Sequence, residues 1–172
     1  MSELSMTYIV GQFIVGLSGH RVIRDAAAVA HLKQVASTYF AEWSQHYPSL
    51  IVLTQLAAGA DTELARIALS FGAQLIVVVP WANYEAEFHG ADLVTFQQLR
   101  AGAARVIQLT DDPRSDEVQL RAGRWIVDHS YATLAAWDEK PSRNAGSIAD
   151  VVEYANTHPR KKPVFIIHTD RS

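Results

Sequence analysis

The chain has 172 residues, with 15 Lys and Arg against 18 Asp and Glu and a formal charge of −3. That length can bury a full core without disulfides or metals, and the near-neutral balance removes the electrostatic drive toward nucleic acid or a membrane surface. The absence of cysteine excludes a disulfide framework, Cys-ligated zinc, iron–sulfur clusters and thiol catalysis.

Along the chain, short apolar runs alternate with longer stretches of helical period. Strands are expected at residues 8–17, 50–53, 74–79, 105–109, 131–137 and 163–168. The run from Leu75 to Val79 is apolar on both faces, which suits a strand covered on two sides in a parallel sheet. After the first strand, Val29, Leu32, Ala36, Tyr39, Phe40 and Trp43 recur at spacings of three and four and form one helical stripe. Leu64, Ile67, Ala68 and Phe71 do the same after the second strand. Gly72 is placed to stop that helix at C′, and Asp61 to cap its start. Further helices are expected at 93–101, 117–128 and 148–156.

No apolar run approaches the roughly 20 residues that cross a bilayer. Residues 1–7 carry no basic region, and Gly11 and Gln12 interrupt the run that follows, so no signal peptide is read. A soluble, cytoplasmic protein with one domain over residues 1–172 is the expectation. The end-to-end alternation of strand and helix predicts an α/β fold, a Rossmann-like three-layer sandwich with a mostly parallel central sheet.

In such a sheet ligands sit beyond the C-terminal strand ends, so the loops after the strands are where chemistry is sought. The first strand runs into Gly16-Leu17-Ser18-Gly19-His20-Arg21, which offers close backbone approach, a hydroxyl and two groups for an anion. This is not the GxGxxG dinucleotide fingerprint. The second loop, Gln55 to Asp61, brings small residues including Gly59 and Ala60 to a helix start, where Asp61 is better read as a cap than as a ligand. The third strand ends at Pro80, before Trp81, Tyr84 and Phe88. These rings either stack on a base or form the loop's own hydrophobic cluster. The fifth ends at Trp137-Asp138. Its polar loop contains Lys140 and Arg143 and enters a helix through Gly146-Ser147, the make-up of either a phosphate cradle or a surface turn with a Ser147 cap. The seven histidines show no HxH or HExxH spacing and no G-x-S-x-G elbow is present, so neither a metal site nor a hydrolase triad is predicted, and no cofactor is expected.

Taken in order, Gly16-Leu17-Ser18-Gly19-His20-Arg21, Leu56 to Asp61, Val79-Pro80 with Tyr84 and Phe88, Trp137-Asp138 and the Gly/Ser loop before Ala149-Asp150-Val151-Val152 resemble the SLOG superfamily. These are Rossmann-like proteins related to the LOG nucleotide phosphoribohydrolases, to molybdenum-cofactor carriers and to DprA-type domains. The similarity spans roughly residues 12–168.

The resemblance implies a pocket for a nucleotide or nucleotide-derived ligand, in a protein acting as sensor, carrier or sequestering module. Ser18, Gly19, His20 and Arg21 would line it from the first loop, and Gly59, Ala60 and Asp61 from the second. Gly146 and Ser147 would stand where the family's phosphate loop stands. The LOG enzymes' Pro-Gly-Gly-x-Gly-Thr-x-x-Glu signature is altered here to Arg143-Asn144-Ala145-Gly146-Ser147-Ile148-Ala149-Asp150. The doubled glycines are gone and a shorter carboxylate stands near the Glu, which places binding ahead of catalysis. The alternatives implied are a nucleoside 5′-monophosphate phosphoribohydrolase or related N-glycosidase, with Asp150 beside the sugar and Arg124 or Arg121 on phosphate, and a molybdenum-cofactor carrier. The resemblance also implies a homo-oligomer, with no membrane and no direct nucleic-acid partner. Trp43, Trp81 and Trp125 are either its interface or core.

Overall fold

In the computed structural model, residues 11–142 and 144–172 are described. Among the described residues six strands form one sheet, β1 (Gln12–Gly19), β2 (Ser49–Thr54), β3 (Gln74–Val79), β4 (Arg105–Gln108), β5 (Ala132–Trp137) and β6 (Val164–His168); positions 8–10 of the expected first strand lie outside the described residues. Every pairing is parallel, in the order β4-β3-β2-β1-β5-β6. The helices are α1 (Ala26–His46), α2 (Ala60–Ser70), α3 (Gly90–Ala101), α4 (Asp116–Asp128) and α5 (Ile148–Thr157).

This order dictates the layers. From β1 the chain steps outward through β2 and β3 to β4, then returns to place β5 and β6 on the other side of β1. With right-handed crossovers, reversing direction moves the connecting helices to the opposite face. Phe40, Leu64 and Phe96, from α1, α2 and α3, pack with Val15, Val52 and Val77 of the sheet. Ile126 and Val151, from α4 and α5, cover the other face around Ile14, Leu53 and Ala135. The inner strands β1, β2, β3 and β5 are therefore mostly dry on both sides, as the apolar run in β3 predicts, while the edge strands β4 and β6 remain partly exposed. The sheet's switch point falls between β1 and β5, where this architecture opens a crevice.

The helix ends have identifiable causes. Asp25 caps α1, its Oδ1 accepting from the Ala28 N–H at 2.8 Å. Gly72, at φ +82°, follows the end of α2 as the sequence predicts. The expectation for Asp61 is overturned. Gly59 holds the cap position at φ +88° and Asp61 lies inside the first turn, where its side chain turns inward and is buried. Trp43 and Trp81 are buried, and Trp125 packs beside the α4 core and stacks on His129, so none of the three offers a free apolar face. Among the described residues no helix is long and apolar enough to cross a membrane.

Candidate functional site

A cavity of about 580 Å³ opens at the C-terminal edge of the sheet. Its walls are the loops after β1 and β2, Trp81 after β3, the start of α4, the loop into α5, and Arg171-Ser172. Ser18, Gly19, His20, Arg21, Asp61, Gly146 and Ser147 all line it, so turns more than 120 residues apart in sequence share one hollow.

The first two loops are locked together by backbone. The His20 N–H donates to the Ala136 carbonyl at 3.2 Å, and the Ala60 N–H to the His20 carbonyl at 3.0 Å. A Cβ on Gly19 would lie 2.5 Å from Ala60 Cβ and 2.8 Å from Ala136 Cβ. One on Gly59 would run into the Arg21 carbonyl and stand 2.6 Å from the His20 oxygen. Gly59 and Ala60 thus support the first loop from behind and do not face the cavity.

Asp138 does not line the cavity but stands behind it, holding the lining residues His20 and Arg171. Its side chain is fully buried, with Oδ1 3.2 Å from His20 Nε2 and Oδ2 2.9 Å from Arg171 Nε; the latter is a charge contact without hydrogen-bond alignment. The Lys140 N–H donates to Oδ1 at 3.1 Å. Burial pushes this carboxyl upward, but the Lys140 amide and the charges of His20 and Arg171 outweigh it and hold the group below the ordinary carboxylate range. The Asp138 N–H also lies 3.1 Å from His20 Nε2. That nitrogen accepts from the amide when it carries no proton and pairs with the carboxylate when it does.

Asp61 behaves oppositely. It is 5% exposed and lies beside the cavity, and burial pushes its carboxyl up to about 7. The Thr54 hydroxyl donates to Oδ2 at 3.0 Å; this bond, the Arg21 charge and the Gly19 and Ala57 amides offset only part of that cost. Arg21 itself forms no ion pair among the described residues.

The fifth loop corrects the phosphate-cradle reading. Asp150 Oδ2 accepts from the Gly146 N–H at 2.7 Å and the Ser147 N–H at 3.3 Å, so the chain's own carboxylate fills the donors that a phosphate would need. Asp150 faces a second hollow with Arg124, whose guanidinium sits 5.2 Å from the Tyr154 ring centroid. Arg121 pairs at the surface with Asp112 at 3.2 Å. None of these three residues lines the main cavity.

Other candidates stand outside the main cavity. Gly16 sits within β1 against Ile126, where a Cβ would approach to 2.7 Å. Pro80 is buried, and the Trp137 indole N–H donates to the Lys140 carbonyl at 3.1 Å. Tyr84 is 1% exposed and packs edge-on against Trp81, Phe88 and Phe96, so the rings after β3 form the loop's own cluster. Arg143 lies outside the described residues.

Lining residues that the sequence did not single out include Arg114, Asp116 and Gln119 around the start of α4, and Arg171 after β6. Only the knowledge that α4 starts beside the β1–β5 crevice could have drawn attention to the first three. Among the described residues no group of three or more His, Asp or Glu is placed to hold a metal.

No family model and no curated protein matches this sequence. Solved structures do match. DNA processing protein A (DprA) from Streptococcus pneumoniae aligns with 90% of this chain at 19% identity and TM-score 0.64, and this chain spans half its length. The DNA processing protein A from Helicobacter pylori, described for its unique single-stranded DNA binding mode, aligns with 90% at 16% identity and TM-score 0.61, with 64% of its length spanned. TM1055 aligns with 88% at 11% identity and TM-score 0.53, with 72% of its length spanned.

The second of these overturns the expectation that nucleic acid is excluded, because a protein of the same fold binds single-stranded DNA. Net charge was the wrong quantity. A total of −3 sums the whole surface and says nothing of how charge is distributed; this cavity gathers Arg21, Arg114 and Arg171 along with Asp61 and Asp116. The chain therefore has a Rossmann-like α/β fold that it shares with these DprA proteins and with TM1055.

Proposed function

We propose that the cavity beyond β1 and β5 binds a nucleotide-derived anion, and that the protein acts as its sensor, carrier or sequestering module. The observation that carries this reading is the single hollow of about 580 Å³ that joins the Ser18–Arg21 turn to the loop entering α5. That size suits a nucleotide-sized ligand, and the switch-point position is where this architecture takes one. The charge comes from side chains: Arg21, Arg114 and Arg171. Arg114 and Arg171 already face Glu87 and Asp138, which leaves Arg21 the foremost anchor for phosphate. With Asp150 capping α5, the phosphoribohydrolase reading has no support from that residue.

The DNA-binding neighbour favours a second reading, in which the phosphate and base belong to single-stranded nucleic acid. Calorimetry against nucleoside phosphates, ADP-ribose, cyclic nucleotides and short single-stranded oligonucleotides separates the two. Saturable binding of a free nucleotide that Arg21→Ala weakens tenfold or more supports the first. Binding of oligonucleotides alone supports the second, and silence from folded protein across the panel ends both.

A further inference from the structure

Gln55, directly after β2, and Gln119, in the first turns of α4, meet across one wall of the cavity. Gln119 Nε2 donates to Gln55 Oε1 at 2.7 Å. Gln119 Oε1 is buried and has no hydrogen-bond partner among the described residues. Gln55 is only 8% exposed, and its own amide NH₂ donates to no described group.

One hydrogen bond between two primary amides leaves one carbonyl and one NH₂ unmatched, whichever amide donates. The wall therefore holds one buried carbonyl without a partner, Gln119 Oε1, beside an amide NH₂ that donates to no described group. A buried carbonyl without a partner costs free energy, and such a group in a cavity wall is a place where an entering ligand gains affinity. The terminal torsion of glutamine is soft, so a small rotation turns Gln119 Oε1 toward the hollow. Nucleobases carry the complementary edge, a ring acceptor next to an exocyclic donor, as in the pairing of glutamine with adenine. Of the rings after β3 only Trp81 lines the cavity, and at 4% exposure, edge-on to Tyr84, it offers a base little face to stack on, so hydrogen bonding is the main means of reading a base here.

The geometry around the pair is fixed by Gly146. At φ +76°, a Cβ on this residue would lie 2.6 Å from Gln119 Cγ and 3.0 Å from the Leu120 nitrogen. Glycine at this position lets the fifth loop lie directly on the Gln119 stem and holds that stem toward Gln55.

We infer that Gln55 and Gln119 form a base-reading pair that confers preference for a nucleobase over a bare sugar phosphate. The inference rests on the nucleotide-site reading and specifies which part of the ligand the β2–α4 wall recognises.

The test compares the four common nucleoside 5′-monophosphates with ribose 5-phosphate by calorimetry. The probes share sugar and phosphate and differ only in the base. The expected result is at least one monophosphate binding tenfold or more tighter than ribose 5-phosphate. Gln119→Leu and Gln55→Leu should each reduce that ratio below threefold while ribose 5-phosphate affinity stays within twofold. Gln119→Met keeps the length of the side chain but removes both amide atoms without adding charge, and provides the same readout should a leucine variant fail to fold. A wild-type ratio below threefold, a ratio unchanged in folded variants, or no binding of any of these probes overturns the inference. In the first two cases the anion site stands, and in the third it falls only if the wider ligand panel is silent as well.

Discussion

Replacing Gly59 by alanine tests how the site is built. Two costs combine there. The backbone sits at φ +88°, where a side chain costs roughly 1–2 kcal/mol. The new Cβ would also press on the His20–Arg21 backbone, with approaches of 2.6 Å to both the Arg21 carbonyl carbon and the His20 oxygen, and overpacking of this kind costs about 1–3 kcal/mol. The sum is roughly 2–5 kcal/mol, or a Tm loss on the order of 5–20 °C in a chain of this size. Gly72 supplies the control: at φ +82° an added Cβ meets nothing within 4 Å, so only the backbone term of about 1–2 kcal/mol applies. Urea denaturation of both variants, followed by ligand titration, gives the comparison. Gly59→Ala should be the more destabilised and should weaken ligand binding in whatever fraction folds, because the loop that moves carries His20 and Arg21. Gly72→Ala should bind normally. Equal losses of stability with equal affinities would refute the proposed locking of the two loops.

Other consequences follow from single contacts. Asp150→Ala removes the carboxylate that accepts from Gly146 and Ser147 and should cost about 0.5–2 kcal/mol by thermal unfolding, with nucleotide affinity within a few-fold of wild type. Asp61 gives a pH signature. Its folded carboxyl titrates at about 7 and its unfolded one near 3.8, so the native state holds the extra proton between those values. This contribution to stability is full below the lower value and falls by about 1.4 kcal/mol per pH unit as pH rises toward 7. Asp61→Asn should flatten that part of the pH–stability curve. Arg171→Met leaves the buried Asp138 with one charge partner fewer and should cost up to about 3 kcal/mol near neutral pH, the low end for a buried pair because His20 and the Lys140 amide remain. Since the folded Asp138 carboxyl titrates below its ordinary range, its stabilisation is present above that range and fades in acid, so the variant's deficit should shrink as pH falls below about 4.

The architecture was legible because local pattern and global packing agree. The dry strands β2 and β3 announce themselves by apolar runs, and α1 by a stripe that ends in the fully buried Phe40 and the nearly buried Trp43. Boundaries were less so: α3 starts at Gly90, three residues before the expected window, and the short helical turn at Tyr84–Glu87 has no period to betray it. In the site, the Ser18–Arg21 turn drew attention by its glycine, hydroxyl and cations, but the sequence could not tell that His20 is buried and that of the four only Arg21 is exposed. Asp61 misled because a carboxylate at a helix start normally caps. Here Thr54 and two backbone amides draw it inward. Asp150 misled in the other direction, since a carboxylate three residues after Ser147 is also what a capping box requires. Gln119 and Arg171 could not be found from the sequence at all, because their places in the wall depend on how α4 and the end of β6 approach β1.

The central claim is that the first and fifth loops serve one ligand. Amide-resolved NMR titration of the ¹⁵N-labelled protein with a nucleotide from the panel addresses it most directly. Ser18, Gly19, His20 and Arg21 are expected to shift together with Asn144, Gly146 and Ser147 along a single saturation curve. Shifts confined to one of these loops, or centred instead on the Arg124–Asp150 hollow, would contradict it.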